Sequence, residues 1–251
     1  MLHAGLLRQS GQHAGIGFPT PEWSRRFEML ARNARDKRLK AYYEAGMVSG
    51  DTPLSAVPLM GLDVETTGLN PQTDGIVSIG LVPMGLERIR ASESRHWIVK
   101  PRARLGEESV TIHGITDSQV LAAPDLEVIL ADVLQCLAGH VLIVHCRDIE
   151  RQFLNRALIA RIGEEIEFPV IDTMELEARL HRGRPPKLID WLLGSKSPPV
   201  SIRLAPSRAR YGLPRYRPHH ALTDALASAE LLQAQVAHRF SPDQPVRDFW
   251  K

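Results

Sequence analysis

Two acidic residues, Asp63 and Glu65, alternate with the apolar residues Leu62 and Val64 at the end of an apolar segment. In a β-strand, residues i and i+2 point to the same face, so the two carboxylates are expected side by side while the apolar side chains enter a core. Ionised carboxylates this close repel each other, and a cation relieves the repulsion. Carboxylate oxygens suit Mg²⁺ or Mn²⁺. The pair therefore predicts a divalent metal site, although a strand that ends in two solvated acids gives the same pattern.

A second acidic segment follows the apolar run 141–144, which predicts a buried strand. It begins at His145 and contains Asp148 and Glu150. Successive helical residues turn by about 100°, so the two acids would lie about 200° apart on a helix, and only one can face the acids of the first segment. Asp148 is well placed as the N-cap of the helix that starts here, a role that contributes about 1 kcal/mol.

A third segment, His219 and His220 followed by Asp224, opens a long helical pattern. Histidine titrates near about pH 6.5 in water, so its ring can take a proton from water near neutral pH. Within one helix, a separation of five residues would place His219 about 140° from Asp224. Because Pro218 precedes it, His219 is expected in the loop that enters the helix, where it can lean over the acids. His220 is the alternative base.

The three segments, in this order, resemble the motifs of the DEDDh (DnaQ-like) 3′–5′ exonucleases. Residues 63–69 look like the family's D-x-E-T-T-G-L, and residues 219–225 look like its H-x-A-x-x-D-A. Residues 112–116 resemble a further family element, H-G-I-T. The resemblance covers roughly residues 58–236, and it implies a ribonuclease H-like fold.

The second segment departs from the family pattern H-N-x-x-F-D. Counting from His145 puts Glu150 at the position of the Asp, Ile149 at that of the Phe and Cys146 at that of the Asn. The resemblance therefore favours Glu150 as the ligand and leaves Asp148 as the N-cap. The longer side chain of Glu changes the reach to a metal, so a second function stays open. This alternative is a module that keeps the fold and binds nucleic acid or a partner but cleaves poorly.

The resemblance implies two divalent ions, Mg²⁺ or Mn²⁺, and a role for each matching residue. The expected metal ligands are Asp63, Glu65, Glu150 and Asp224. His219 is expected to be the general base, because it lies five residues before Asp224, the same spacing as between the His and the Asp of the family motif. The residues expected to contact the terminal nucleotide are Thr66, Thr67, Gly68, Leu69, His113 and Ile149. The implied activity is the release of nucleoside monophosphates from the 3′ end of nucleic acid, with single-stranded DNA expected ahead of RNA and a polymerase or repair protein as a compatible partner.

The elements that position these residues alternate between strands and helices. Strands are predicted near 59–65, 76–82, 95–100, 141–145 and 169–172, and helices near 125–138, 149–162, 173–182, 187–193 and 220–239. This alternation predicts an α/β fold, in which a mixed β-sheet is flanked by helices.

The chain is expected to divide into an N-terminal extension (1–57), an exonuclease domain (58–240) and a C-terminal tail (241–251). The extension begins without periodicity and continues with a basic, amphipathic helix within 21–46. This helix either packs on the domain or serves as a basic arm for nucleic acid or a partner.

Residues 195–218 contain six Lys or Arg, five Pro and no acid. The prolines and the lack of periodicity predict an irregular loop. Cations interleaved with Tyr211 and Tyr216 suit a phosphate backbone and stacked bases, whereas a solvated loop is the alternative.

The composition agrees with a globular enzyme of one main domain. The chain has 251 residues, 43% of them hydrophobic, and a net charge of +2 that neither demands nor excludes nucleic acid. Its two cysteines have no metal-type spacing and do not suggest a disulfide framework, which predicts a reducing, cytoplasmic location. No apolar run is long enough to predict a membrane span, and the first residues do not resemble a signal peptide.

Overall fold

The computed structural model of the protein describes residues 20–102, 114–182 and 200–251. Three sequence predictions lie wholly or almost wholly outside the described residues: the aperiodic start at 1–20, the substrate contact at His113 and the helix at 187–193.

The centre of the described structure is a mixed sheet of six strands. They are β1 (Leu59–Thr66), β2 (Ile76–Gly85), β3 (Arg88–Ile89), β4 (Arg95–Ile98), β5 (Val141–Val144) and β6 (Val170–Asp172). The order is β3-β2-β1-β5-β6, and β4 pairs with β2 beside β3. β1 is antiparallel to β2 and parallel to β5, which is parallel to β6. The five predicted strands are confirmed, and the two residues of β3 are too short a segment to show a period.

Helices flank this sheet. They are α1 (Trp23–Asn33), α2 (Lys37–Glu44), α3 (Asp117–Ala122), α4 (Leu126–Leu137), α5 (Arg147–Ile162), α6 (Thr173–Arg182), α7 (Leu204–Arg210) and α8 (Ala221–Arg239). The predicted helices that became α4, α5, α6 and α8 are confirmed, and so is the α/β fold class. The short helix α3 was not expected; it begins with a capping box between Thr116 and Gln119.

The prediction of a single basic helix within residues 21–46 is wrong, because the chain forms two helices there. Ala34 has an extended backbone that ends α1, and the Asp36 carboxylate caps α2 by accepting from the backbone N–H groups of Arg38 and Leu39. An acid between two apolar stretches was the available signal for this break.

The two N-terminal helices bury their aromatic side chains against each other and against the domain. The ring of Phe27 lies 6.2 Å from that of Trp23 and 5.4 Å from that of Tyr42. These three residues belong to the same hydrophobic core as the sheet, together with the C-terminal Phe249 and Trp250. The described part of the basic extension therefore packs on the domain, which was one of its two expected roles.

The prediction of an irregular loop over residues 195–218 is wrong in part, because α7 lies within it. Pro206 is the third residue of α7. Backbone N–H groups of the first helical turn have no partner within the helix, so a proline there costs little. The proline count therefore did not exclude a helix.

The prediction that Asp148 caps α5 is also wrong. The N-cap position is Cys146, whose φ of 123° lies in the left-handed region, and its side chain makes no capping bond. The backbone N–H of Arg147 donates instead to Asp172 of β6 at 3.1 Å. Asp148 lies within the first helical turn with a half-exposed side chain. The sharp turn after β5 starts the helix two residues earlier than the pattern indicated.

No helix among the described residues is long and apolar enough to cross a membrane. Cys136 and Cys146 are both free thiols.

Candidate active site

Helix α8 contacts β1 and β2 directly because two glycines leave no side chain between them. A Cβ at Gly61 would lie 2.7 Å from the backbone oxygen of Ala225, and one at Gly80 would lie 2.3 Å from the backbone carbon of Ala221. Neither contact is sterically possible, so any larger residue would push the helix away from the sheet. This close approach brings the first turn of α8 beside the end of β1.

Asp63, Glu65 and Asp224 form one acidic cluster at this contact. One carboxylate oxygen from each lies within 4.8 Å of those of the other two. Strand alternation puts Asp63 and Glu65 on the same face as Gly61, which is the face covered by α8. The sequence prediction of two acids on a shared face is confirmed, and α8 adds the third acid from a distant part of the chain.

Burial and mutual repulsion disfavour the charged forms of these acids. Burial raises the pKa of Asp63 well above its usual range, and the charges of Glu65 and Asp224 raise it further. Burial and the charge of Asp224 raise the pKa of Glu65 to about 8. Burial also raises the pKa of Asp224, although the backbone N–H of His219 stabilises its charge by donating to Oδ2 at 2.7 Å. A divalent cation would allow all three to ionise, so the cluster fits a metal site.

These raised pKa values predict that the metal-free protein loses stability as pH rises. Glu65 titrates near 4.5 when unfolded and at about 8 when folded, so between these values the folded chain holds a proton that the unfolded chain has released. Protonated Glu65 therefore gives its whole contribution to the free energy of unfolding below its unfolded pKa of 4.5. That contribution is lost as pH rises through its folded pKa of about 8. We expect the melting temperature in EDTA to fall from about pH 5 to about pH 8, and Mg²⁺ or Mn²⁺ to raise it most at the higher pH. A melting temperature that is insensitive to both would contradict this.

Glu150 lies outside the cluster of three acids. Its side chain is 2% exposed, and its Oε2 has no hydrogen-bond partner among the residues that the structure describes. Burial raises the pKa of Glu150 well above its usual range, and the charges of Asp172 and Asp148 add to this. The charge of Glu150 in turn contributes to the raised pKa of Asp63. A buried carboxylate oxygen without a partner is costly, and a nearby cation would remove that cost.

The two histidines before α8 occupy different positions. His219 lies in the loop that enters the helix, as its sequence context predicted, with a φ of 67°. Its backbone N–H holds the carboxylate of Asp224. His220 is the N-cap residue, and its Nδ1 accepts from the backbone N–H of Thr223 at 3.4 Å. His219 is therefore tied to the acidic cluster through Asp224, whereas the His220 side chain serves the helix end.

The turn after β1 is organised by Asp74, which sequence reasoning missed. Its carboxylate accepts from the backbone N–H of Asn70 at 2.8 Å and from the hydroxyl of Thr67 at 3.3 Å. A Cβ at Gly68 would lie 2.5 Å from the same carboxylate. The Thr66 hydroxyl closes the turn by donating to the carbonyl of Gly68 at 2.6 Å. An acid within a polar, glycine-containing turn was the signal that could have identified Asp74.

The remaining expected substrate contacts are partly buried side chains. Leu69 is half-buried in the turn after β1, and Ile149 packs against the main core from the first turn of α5. Their contact with a nucleotide stays a prediction, as does that of His113 outside the described residues.

His145 has a structural role that its position in the second motif did not indicate. Burial lowers its pKa to about 4, so the ring is neutral near pH 7. Nε2 donates to the carbonyl of Ile202 at 3.1 Å, and Nδ1 lies 2.8 Å from the hydroxyl of Thr173. His145 therefore links the end of β5 to α6 and to the segment before α7.

Arg208, expected to be one of the phosphate-binding cations, is instead buried. Its guanidinium donates to the carbonyls of Ala227 at 2.6 Å and Pro214 at 3.0 Å, and it pairs with Glu230 at 2.6 Å. It also lies 4.6 Å above the ring centre of Tyr216. Arg208 holds α7 and its following turn on α8, so it is not available to a substrate.

Arg210 is also used internally, because it pairs with the fully buried Glu177 of α6 and donates to the carbonyl of Ser201 at 2.6 Å. The exposed cations of this segment with no partner among the described residues are Arg203, Arg215 and Arg217. Among the described cations of this segment, the expected phosphate contacts are therefore restricted to these three, and Lys196 lies outside the described residues.

The fold and the site together match the arrangement that the ribonuclease H-like resemblance implied. A mixed sheet is flanked by helices, and acids from its first strand converge with an acid from the last long helix.

Comparison with known proteins identifies the family. The exonuclease family model (RNase_T) matches residues 60–232. The DNA polymerase III subunit epsilon of Treponema pallidum is 27% identical over 182 residues, which are 72% of this chain and 78% of that protein. The PolC-type DNA polymerase III of Thermotoga maritima is 28% identical over 184 residues, which are 73% of this chain but 12% of that protein. The chain belongs to the DEDDh, DnaQ-like exonuclease family.

Solved structures share the fold. The nuclease domain of 3'hExo, a DEDDh family member bound to rAMP, has a TM-score of 0.59 at 16% identity and covers 72% of this chain and 92% of that one. Exonuclease X in complex with 5′ overhanging duplex DNA has a TM-score of 0.54 at 24% identity, covering 75% and 97%. These similarities confirm the ribonuclease H-like fold predicted from the sequence.

Proposed function

We propose that this exonuclease hydrolyses phosphodiester bonds from the 3′ end of nucleic acid and releases nucleoside monophosphates. The observation that carries the proposal is the buried cluster of Asp63, Glu65 and Asp224 beside the loop of His219. Membership of the exonuclease family supports hydrolysis as the reaction. The 3′–5′ direction comes from the resemblance of the motifs.

The acids of the site suit two divalent cations, Mg²⁺ or Mn²⁺. Asp63, Glu65 and Asp224 would hold them together with Glu150, whose unpartnered buried oxygen is otherwise costly. A pair of divalent ions activates water and stabilises the leaving oxygen of a phosphodiester.

The protein's own groups hold the substrate and move the proton. The His219 imidazole takes the proton of the attacking water as general base. The turn Thr66–Leu69, together with Ile149, receives the terminal nucleotide. The rigid hydrogen bonds of Asp74 fix this turn before substrate arrives, which lowers the entropy cost of placing the scissile bond.

Single-stranded DNA is the proposed substrate, and RNA is the second. The relatives named as epsilon and PolC-type chains of DNA polymerase III support DNA and a polymerase as partner. Of the solved structures, one holds the ribonucleotide rAMP and the other holds duplex DNA, so neither kind of substrate is disfavoured.

The test is the product pattern from 5′-labelled single strands of DNA and RNA incubated with Mg²⁺ or Mn²⁺. A ladder that shortens from the 3′ end, with release of mononucleotides and no reaction in EDTA, supports the proposal. Undiminished cleavage in EDTA, or shortening from the 5′ end, would overturn it.

Exchanging Glu150 for glutamine should lower turnover by about two orders of magnitude or more, because the variant loses one charge from the metal site. Asp148→Asn is the matched control. Its half-exposed carboxylate lies in the first turn of α5, so the change should cost about 0.5 kcal/mol of stability through the helix dipole and little turnover. Steady-state rates and melting curves for both variants check this. A dead Asp148 variant beside an active Glu150 variant would reverse the two assignments.

The position of Glu150 outside the three-acid cluster also favours a second candidate, a fold that binds nucleic acid but cleaves poorly. Retention of a labelled single strand without metal-dependent release of mononucleotides would support that candidate over the enzyme.

The three exposed arginines Arg203, Arg215 and Arg217 should contribute to substrate binding. Their replacement by alanine should raise KM on long single strands and lower the slope of log KM against log salt by about 0.7 for each lost phosphate contact. Arg208→Ala should instead lower the free energy of unfolding by about 2 kcal/mol, because it leaves the buried carbonyl of Ala227 without its donor and breaks the ion pair with the partly exposed Glu230. KM measured over a salt series and denaturant melts distinguish these effects. An unchanged salt slope for the triple variant would indicate that these three arginines are solvated and make no contact with the substrate.

A further inference from the structure

His96 of β4 links a buried strand residue to the start of α8. Its Nε2 lies 2.8 Å from the hydroxyl of Ser78, which is completely buried in β2. Its ring stacks on that of His220, with 4.8 Å between the ring centres and 33° between the planes. Ser78 is the cross-strand partner of Glu65. His96 therefore connects Ser78, which lies beside Glu65 of the acidic cluster, to His220, the residue that follows His219.

The stack depends on the local pairing of the strands. His96 pairs with Gly80, the glycine whose missing side chain admits the backbone of Ala221. Ser78, Gly80 and the cross-strand His96 share one face, because residues i and i+2 of a strand do so and paired residues face the same way. This is the face that α8 covers, so His96 stands directly beside the helix start.

His219 has a backbone conformation that its surroundings must maintain. Its φ of 67° is uncommon for a residue other than glycine. Such conformations persist where neighbouring contacts fix them. On one side the N–H of His219 donates to Asp224, and on the other side the ring of His220 is held by His96.

We propose that His96 is a positioning residue for the reaction: by stacking on His220, it fixes the backbone at His219 and so directs the imidazole of His219 toward the acidic cluster. This inference rests on the proposed role of His219 as general base. Ser78 fixes the orientation of the His96 ring in turn. No proton transfer or substrate contact is assigned to His96.

The test is a double-mutant cycle with Mn²⁺ and a 5′-labelled single-stranded oligodeoxynucleotide. His96→Ala should lower kcat on the order of 10-fold, because the base is misplaced, and should leave KM within about twofold. In a His219→Ala background, His96→Ala should have no further effect. His96→Phe keeps a ring on His220 and should recover most of the rate. His238→Ala is the matched control, because the ring of His238 also contacts an aromatic ring, that of Tyr211, but at the other end of α8.

Equal losses in both backgrounds would overturn the proposal, since His96 would then act independently of His219. A rise in KM with unchanged kcat would also overturn it and would make His96 a substrate contact. The imidazole signals of His219 in nitrogen-edited NMR spectra give a readout that does not need activity. His96→Ala should move them and His238→Ala should not; unmoved signals would reject the positioning role even if the wild-type protein failed as an exonuclease.

Discussion

Replacing Asp63 with asparagine should reduce metal-dependent nucleotide release to background while the fold is retained. Asparagine has nearly the same volume but no charge, so the site loses the carboxylate that interacts with the charges of all three neighbouring acids. Because activation of water and stabilisation of the leaving oxygen both depend on bound cations, the loss should reach about three orders of magnitude or more.

The same substitution should make the metal-free protein more stable. Burial and two neighbouring acids disfavour the charge of Asp63, and the neutral amide removes that penalty. We therefore expect a higher melting temperature in EDTA and a smaller rise on adding Mn²⁺. Asp132→Asn, an exposed change on α4, is the matched control and should alter neither rate nor melting temperature. An Asp63→Asn protein that keeps its activity would contradict the metal site, whereas one that unfolds would contradict the electrostatic account.

The sequence predicted the strand acids well because the evidence was local. Asp63 and Glu65 lie two residues apart, and the period of a strand decides their shared face without any knowledge of the fold. The predicted strands and long helices were confirmed for the same reason. The convergence of Asp224 with this pair, in contrast, was expected only through the family resemblance. In the structure this convergence depends on Gly61 and Gly80, which allow α8 to approach the sheet. The sequence around a glycine does not indicate which helix will pack against it.

The errors arose where tertiary contacts determine a residue's role. Arg208 was expected to contact phosphates because an arginine in a proline-rich segment is usually exposed to solvent. In the structure it is buried, and it bonds to Glu230 and two backbone carbonyls. Asp148 was expected to cap α5, but the carboxylate of Asp172 reaches the helix start from a neighbouring strand. The contact of His96 with His220 also had no local signal, since the two residues are distant in the chain and meet only because β4 pairs with β2, on which the start of α8 packs.

His219→Ala should lower the rate by about 10²-fold to 10⁴-fold, the range that loss of a general base produces, while metal binding is retained. Metal binding should survive because the proposed ligands are carboxylates and His219 contacts the cluster through its backbone N–H, which alanine also has. His220→Ala removes a long capping bond and the ring contact with His96, so its effect on the rate should be on the order of 10-fold, as for His96→Ala, and smaller than that of His219→Ala.

The measurement is the initial rate against pH at saturating Mn²⁺ for the wild type and both variants. A base must lose its proton before it can accept one from water, so the wild-type rate should rise with pH and then level. The rise should persist in His220→Ala and disappear in His219→Ala. Calorimetric titration of His219→Ala with Mn²⁺ shows whether the variant has lost only the general base or has also lost metal binding. If His220→Ala shows the larger loss, the two histidines exchange roles; if His219→Ala no longer binds Mn²⁺, His219 supports the metal site and is not the base.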